Sequence, residues 1–260
     1  MPRISVVTGS ASGIGKATRE LLVERGETVI GVDVHDADVV VDLSTAAGRA
    51  SLVEQVSELS GGSIDAVLAV AGLASPTATT VAVNYFGTIA TLEGLRPLLA
   101  RSAAPRAVAV ASMASLFPPD DILLAALLAG NEADALARAS ELEAGGAEQG
   151  ALIYGTTKRA LARWIRRNAA TDAWAGASIP LNAIAPGVVD TPMTSDMIKT
   201  PHQREEMARL VPMPLNGIFE PRSVAYLLAW LAGEENAHLC GQVIFIDGGS
   251  DVIIRGDATW

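Results

Sequence analysis

The stretch Ile4–Gly26, ISVVTGSASGIGKATRELLVERG, decides the fold. It starts as a short β-branched run, passes through Gly9, Gly13 and Gly15, and ends in a helical pattern, so it reads as strand, tight turn and helix in immediate succession. Glycines at that spacing let a backbone approach a pyrophosphate closely while the helix that follows presents its first amides to the anion. By itself the cluster is equally a tight turn. The next β-branched run, TVIGVD at 28–33, ends in Asp33, near the spacing of about 20 residues at which an acid meets an adenosine ribose. A carboxylate there accepts hydrogen bonds from ribose hydroxyls and repels a 2′-phosphate. No Lys or Arg stands at Ser10, Ala11, Ser12 or Val34, so NAD is favoured over NADP. The competing reading of Asp33 is an ordinary turn residue at a strand end.

Outward from this unit the pattern repeats. ISVVT, TVIGVD, DVVVDL, AVLAVAG, AVAVAS, LNAIAP and QVIFID read as strands buried on both faces, and helical segments such as ATLEGLRPLLARS lie between most of them. The expected fold is α/β: a single Rossmann-like domain over residues 1–260, with a doubly wound parallel sheet and helices on both faces. Between VIGVDV and VVVDLS there is no room for a helix, so a loop replaces one crossover. The chain has 260 residues, half of them apolar, and a formal charge of −10, which argues against nucleic acid or an anionic membrane as partner. The single cysteine, Cys240, reads as a buried structural thiol. His35, His202 and His238 sit at no ligand spacing, and no metal is expected. ILLAALLAG is too short to span a bilayer, and the N-terminus has no signal-like run. The expectation is a soluble, unprocessed, cytoplasmic protein acting on a small molecule.

Several polar or turn-forming residues fall at strand ends: Asp42 ends the third strand, Gly72 the fourth, Ser112 the fifth and Pro186 the sixth. Ligands of open α/β sheets bind outside those carboxyl ends. Tyr154 and Lys158, in ALIYGTTKRALARW (151–164), share one helix face a turn apart. A Tyr-Lys pair arises by chance in many helices; chemically, a cation beside a phenol favours the phenolate, and such a phenol can pass a proton to or from an alcohol oxygen. Ser112 has two readings as well, a helix cap or a hydroxyl that bonds a substrate carbonyl oxygen.

These residues together resemble the short-chain dehydrogenase/reductase family over nearly the whole chain. The resemblance implies that Thr8 to Gly15 is the cofactor loop, with Ser12 and Ile14 among its contacts, and that Asp42 and the adjacent Leu43 meet the adenine. It matches AVAG, with Ala71 and Gly72, to the strand-four motif, Asn84 in VNYFGT to the active-site asparagine, and Ser112, Tyr154 and Lys158 to the serine and Tyr-x-x-x-Lys. PGVVDTPM, from Pro186 and Gly187 on, matches the segment holding the nicotinamide carboxamide, with Val189 and Thr191 at the contacts. The implied roles are general acid/base for Tyr154, lowering of that pKa and a hold on the nicotinamide ribose for Lys158, orientation of the substrate oxygen for Ser112, and a water linking Lys158 to solvent for Asn84. The strand-four motif departs from the frequent N-N-A-G, carrying Ala69 and Val70 instead, which weakens one supporting hydrogen-bond network.

Within the family, DLSTAAGR, GGAEQG, LNAIAPG and the long interval between Ser112 and Tyr154 resemble the bacterial 3α-hydroxysteroid dehydrogenase/carbonyl reductase group. Residues 116–150 read as a helical insertion. Residues 191–220 match the segment that covers substrate in the family; its methionines, with Met193 and Met197 foremost, and Phe117 and Met113 nearby, imply a bulky, mostly apolar ketone or secondary alcohol, although some must pack a core of their own. Relatives often assemble as tetramers through the tyrosine helix, near which the insertion must lie. A homodimer through the C-terminal strand is therefore expected, a tetramer being the alternative if the insertion folds over the active site. The rival function is a non-catalytic NAD-binding regulator, which would have no reason to keep Ser112, Tyr154 and Lys158 together.

Overall fold

The computed structural model describes residues 2–258. In chain order the elements are β1 (Ile4–Thr8), α1 (Gly13–Glu24), β2 (Thr28–Asp33), β3 (Val39–Val40), α2 (Ala46–Leu59), β4 (Ala66–Ala69), α3 (Ala78–Val81), α4 (Thr88–Leu99), β5 (Arg106–Val110), α5 (Asp121–Leu128), α6 (Glu132–Ala144), α7 (Ala147–Asn168), β6 (Leu181–Pro186), α8 (Pro201–Leu210), α9 (Pro221–Ala232), β7 (Val243–Ile246) and α10 (Ser250–Arg255). A π-helical turn, Ala82–Gly87, joins α3 to α4. The strands form one parallel sheet in the order β3-β2-β1-β4-β5-β6-β7. The order reverses beside β1, where β2 leaves to one side and β4 lies on the other, and this opens the crevice in which such sheets bind ligands.

Successive residues of a strand face opposite sides, and both sides are covered. Val6, Val67, Ala69, Ala107, Ala109 and Ala183 point into the larger core, under Leu52 and Val56 of α2, Leu92 and Leu95 of α4 and Leu161 of α7. Val7, Leu68, Val108 and Ile184 face the other way, against Leu21 and Leu22 of α1 and Val224 and Leu228 of α9. The near-continuous apolar runs of these strands follow from that double coverage.

Three expectations are corrected. DVVVDL gives only two strand residues, Val39 and Val40, because β3 is an edge strand that pairs with β2 alone, at Val32↔Val39 and Asp33↔Val40. Beyond it the Asp42 carboxylate accepts from Ser44 N at 2.8 Å and turns the chain toward α2, where Thr45 caps Gly48 N. Asp42, Gly72 and Ser112 accordingly stand two or three residues past their strands rather than ending them. Cys240 is half-buried, not buried, and donates to Ala169 O at 3.3 Å.

The insertion forms the hairpin α5–α6. Asp120 accepts from Leu123 N at 2.7 Å to start α5, and Asn131 accepts from Asp134 N at 3.2 Å to start α6. Leu123, Leu127, Ala135, Ala139 and Leu142 enter the larger core beside Ile153 and Leu161 of α7. The hairpin packs on α7 and α3, and it is held there by the Asp120–Arg138 pair, 3.1 and 2.7 Å, with Asp120 N donating to Thr156 Oγ1 on α7 at 3.0 Å.

Candidate active site

At the carboxyl ends of the strands lies a cleft of about 470 Å3. Every cofactor-site residue expected from the sequence lines it: the loop Gly9, Ser12, Gly13, Ile14 and Gly15, the acids Asp33 and Asp42 with Leu43, then Ala71 and Gly72, Tyr154 and Lys158, and Pro186, Gly187, Val189 and Thr191.

The loop's close packing requires glycine. A Cβ on Gly15 would fall 2.0 Å from Gly9 O, and Gly9 itself takes φ +69°. Ser12 precedes α1 in extended conformation with no side-chain cap, and the first turn, Gly13–Lys16, carries no acid, so the helix N-terminus offers its amides and positive dipole end to the cleft. Across the sheet, Thr8 Oγ1 accepts from both Val70 N and Ala71 N at 3.0 Å. The turn after β4 is thus fixed by backbone amides, and its side chains at Ala69 and Val70 are not called upon. The Asp33 carboxylate accepts from Ala11 N at 2.9 Å and Val34 N at 2.7 Å, which holds it at the mouth of the loop. Hydrogen bonds from Ser44 keep the Asp42 carboxyl below the usual range. An anion-binding helix end with an oriented carboxylate one strand away suits the pyrophosphate and ribose of a dinucleotide.

On the cleft floor, Ser112 serves as a cap. Its Oγ accepts from Ala114 N at 3.1 Å and so caps the short turn Met113–Leu116, and the same hydroxyl draws the Tyr154 phenol pKa down. Lys158 is 4% exposed and donates from Nζ to Val110 O at 2.8 Å, with Nζ 5.8 Å from the Tyr154 ring centroid. Burial pushes the Lys158 ammonium down to about 8 and pushes the Tyr154 phenol up, the Ser112 hydrogen bond drawing the phenol back. The Tyr154 phenol is thus raised by burial and drawn back by Ser112, while Lys158 donates to a strand carbonyl.

Asn84 sits in the π-turn, fully buried behind the cleft wall, with Gly72 lying between it and Lys158. Its Oδ1 accepts from Leu73 N at 2.7 Å, and its Nδ2 donates to Leu73 O at 2.9 Å. It is thus tied to the loop after β4 rather than exposed to the cleft.

The substrate-side expectations divide. Met193 and Ser112 line the cleft; Met113, Phe117 and Met197 do not. Met113 is buried with Val188, Ile198 and Val211 in a satellite core that Met207 and Met213 complete, while Met197, in a one-turn 3-10 helix, and Phe117 are part-exposed beside the cleft. The segment 191–220 thus packs several of its methionines into a core of its own. Sequence reasoning missed Thr79 and Val83, which α3 and the π-turn carry to the cleft, and Leu73 and Thr194 beside them. Leu73 follows the strand-four motif and was within reach of it; Thr79 and Val83 need the tertiary path of their helix. Among the described residues no cluster of metal-ligating side chains occurs, and no helix is long and apolar enough to cross a membrane.

Comparison with known proteins agrees with this geometry. Residues 3–122 match the short chain dehydrogenase family model, and residues 124–251 match a model described as enoyl-(acyl carrier protein) reductase. A 3-alpha-hydroxysteroid dehydrogenase/carbonyl reductase of Comamonas testosteroni is 37% identical over 258 residues, covering 97% of this chain and 98% of that protein. The chain belongs to the short-chain dehydrogenase/reductase family. The crystal structure of the 3-alpha-hydroxysteroid dehydrogenase from Pseudomonas sp. B-0831 complexed with NADH superposes with a TM-score of 0.87 at 40% identity, covering 98% of this chain and 99% of that one. A cis-4-hydroxycyclohexanecarboxylate dehydrogenase of Sinomonas cyclohexanicum is 29% identical over 95% of this chain and 96% of that protein. This short-chain dehydrogenase/reductase is an oxidoreductase with a nicotinamide dinucleotide cleft.

Proposed function

We propose that the enzyme interconverts a secondary alcohol and a ketone on a bulky, mostly apolar substrate, with NAD as the hydride carrier. The observation that carries this reading is the meeting of Ser112, Tyr154 and Lys158 on the floor of a cleft whose other end is a glycine loop and Asp33. NAD, when bound, supplies the hydride acceptor and NADH the donor. The residues divide the remaining work. The amides of Gly13–Gly15 hold the pyrophosphate, Asp33 the adenosine ribose, and Asp42 and Leu43 the adenine. Val189 and Thr191 hold the carboxamide, and Lys158 the nicotinamide ribose. Ser112 directs the substrate oxygen toward Tyr154, which takes the hydroxyl proton in oxidation and returns it in reduction. Asn84 fixes Leu73, and with it the wall beside Lys158.

Exposed apolar side chains, Leu73 and Met193 among them, line the cleft. Apolar area at about 25 cal/mol per Å2 rewards a large hydrocarbon frame and nothing smaller. The names of the relatives above, which include steroid and cyclohexane substrates, point the same way. Measuring NADH formation across hydroxysteroids, aryl and cyclic secondary alcohols, acetoin, sugars and hydroxy acids tests the reading. The bulky apolar alcohols are expected to lead in kcat/KM; a preference for a small sugar or hydroxy acid would overturn it. The rival, a non-catalytic NAD-binding regulator, predicts NADH binding without turnover on any of them.

We further propose a homodimer. The hairpin α5–α6 covers one outer face of α7, while α9 exposes Tyr226 and Trp230, β7 is a sheet edge, and α10 exposes Val252 and Ile253. A two-fold contact buries that apolar face against its own copy. Light scattering is expected to give the mass of two chains; a stable tetramer cross-linked between α7 helices would refute it.

A further inference from the structure

Arg49, on α2, lies outside the catalytic residues, yet it joins three separate parts of the molecule. Its Nε donates to Leu43 O at 2.8 Å and its NH2 group to Ser44 O at 3.2 Å, both on the loop that lines the adenosine end of the cleft. NH2 also donates to Ala82 O at 3.1 Å, at the start of the π-turn that carries Asn84. The guanidinium is closed by Glu132 of α6 in a bidentate pair, 2.9 and 2.8 Å, and rests over the Phe86 ring at 5.9 Å. The Arg49 side chain is 11% exposed and that of Glu132 38%. A largely buried guanidinium needs its charge matched, and a planar fork bonded on both sides fixes position as a single contact cannot. The loop and the π-turn also touch directly: a Cβ on Gly87 would lie 3.0 Å from Leu43 Cβ and O.

Two consequences follow from the placement. Glu132 belongs to the insertion and does not line the cleft, yet it supplies the charge that holds Arg49 in place. Arg49 in turn holds two carbonyls of the adenosine-side loop, so a change in the insertion reaches that loop through one side chain. We infer that Arg49 and Glu132 form a brace by which the helical insertion sets the adenosine half of the cleft, with Glu132 a positioning residue for cofactor binding. This rests on the reading of the cleft as a dinucleotide site.

Glu132→Gln keeps the side-chain volume and removes the charge. NADH titrated into the wild-type protein and the variant, followed by nucleotide fluorescence, is expected to bind the variant about three- to tenfold more weakly, the range of coupling carried by such contacts. ADP-ribose is expected to lose affinity by the same factor, and kcat at saturating cofactor to stay unchanged, since the catalytic floor is untouched. Arg138→Ala, which breaks the insertion's other ion pair without contacting the adenosine-side loop, is expected to leave NADH affinity alone, with circular dichroism checking that both variants remain folded. Unchanged NADH affinity in Glu132→Gln, or an equal loss in Arg138→Ala, would overturn the brace. Failure of the wild-type protein to bind NADH would instead strike the dinucleotide reading itself.

Discussion

The two ends of the cleft are built by different means. The cofactor end is made mostly of backbone: glycine-permitted turns, the uncapped start of α1, and carboxylates pinned by amides at Ala11, Val34 and Ser44. The substrate end is made of side chains on a segment with its own small core of Met113, Ile198 and Val211. A site written in backbone amides depends on a few residues at fixed spacing, while a site written in side-chain packing depends on which face of each turn points inward. Recognition of the common part of the ligand is therefore rigidly encoded, and the variable part is left to replaceable apolar side chains.

The hardest test falls where the two ends meet. Tyr154→Phe keeps the ring and its packing and removes the proton-transfer hydroxyl, so kcat is expected to fall about 10²–10⁴-fold, as for a general acid/base group, while NADH affinity stays nearly intact. Stopped-flow or steady-state assays with parallel NADH titration measure both. A variant keeping over half of wild-type kcat would remove Tyr154 from its role and leave the floor without a proton carrier.

A smaller effect sharpens the account of the cofactor end. Wild-type kcat/KM is expected to favour NAD over NADP, because the Asp33 carboxylate, held by two amides in the cleft, would repel a 2′-phosphate. Asp33→Ala should narrow that preference by about tenfold or less, as one charge repulsion at ~4 Å is worth roughly 1 kcal/mol when screened as in water. It should not create an NADP enzyme, since Arg19, the nearby cation on α1, is already paired with Asp38 at 2.9 Å. Equal wild-type efficiency with the two cofactors would contradict this reading of Asp33.

The contrast also explains what could be read from the sequence. Gly9, Gly13 and Gly15 announce their positions because few other residues survive there, and strand order places Asp33, Ala71 and Pro186 at the same edge by topology alone. Tyr154 and Lys158 stand out by their spacing on one helix face, Ser112 by its place at a strand end, the resemblance supplies their joint role, and the structure brings them onto one floor. The lid carried no such local marker. Met193 reaches the cleft and Met207 a core, though both are methionines in the same segment, and only the tertiary path decides between them. The insertion was legible as helix from its composition, but its seat on α3 and α7 depends on which leucines meet the core. Arg49 gave no signal at all, because its partners are carbonyls at Leu43, Ser44 and Ala82, which no side-chain pattern reports.

The smallest effect concerns stability at the junction. Lys158 is buried and its ammonium is pushed down to about 8, against an ordinary value near 10.5. Below pH 8 the lysine is charged in both folded and unfolded chains, and the folded protein bears the burial penalty, of the order of 1–3 kcal/mol, reduced by the bond to Val110 O. Between pH 8 and about 10 the folded chain releases the proton while the unfolded chain keeps it, so this group's contribution to stability rises with pH. Above pH 10 the sign reverses for the tyrosines, since Tyr85, pushed up to about 12, and Tyr154 stay protonated only when folded and lose stability as pH climbs. Lys158→Met keeps the apolar stem and has no charge to bury. Its melting temperature is therefore expected to exceed that of the wild-type protein by a few degrees at pH 7, and the gap is expected to close as pH rises from 8 to 10. A gap that stays constant over that range, in melts followed by circular dichroism, would mean that Lys158 does not release its proton there in the folded chain.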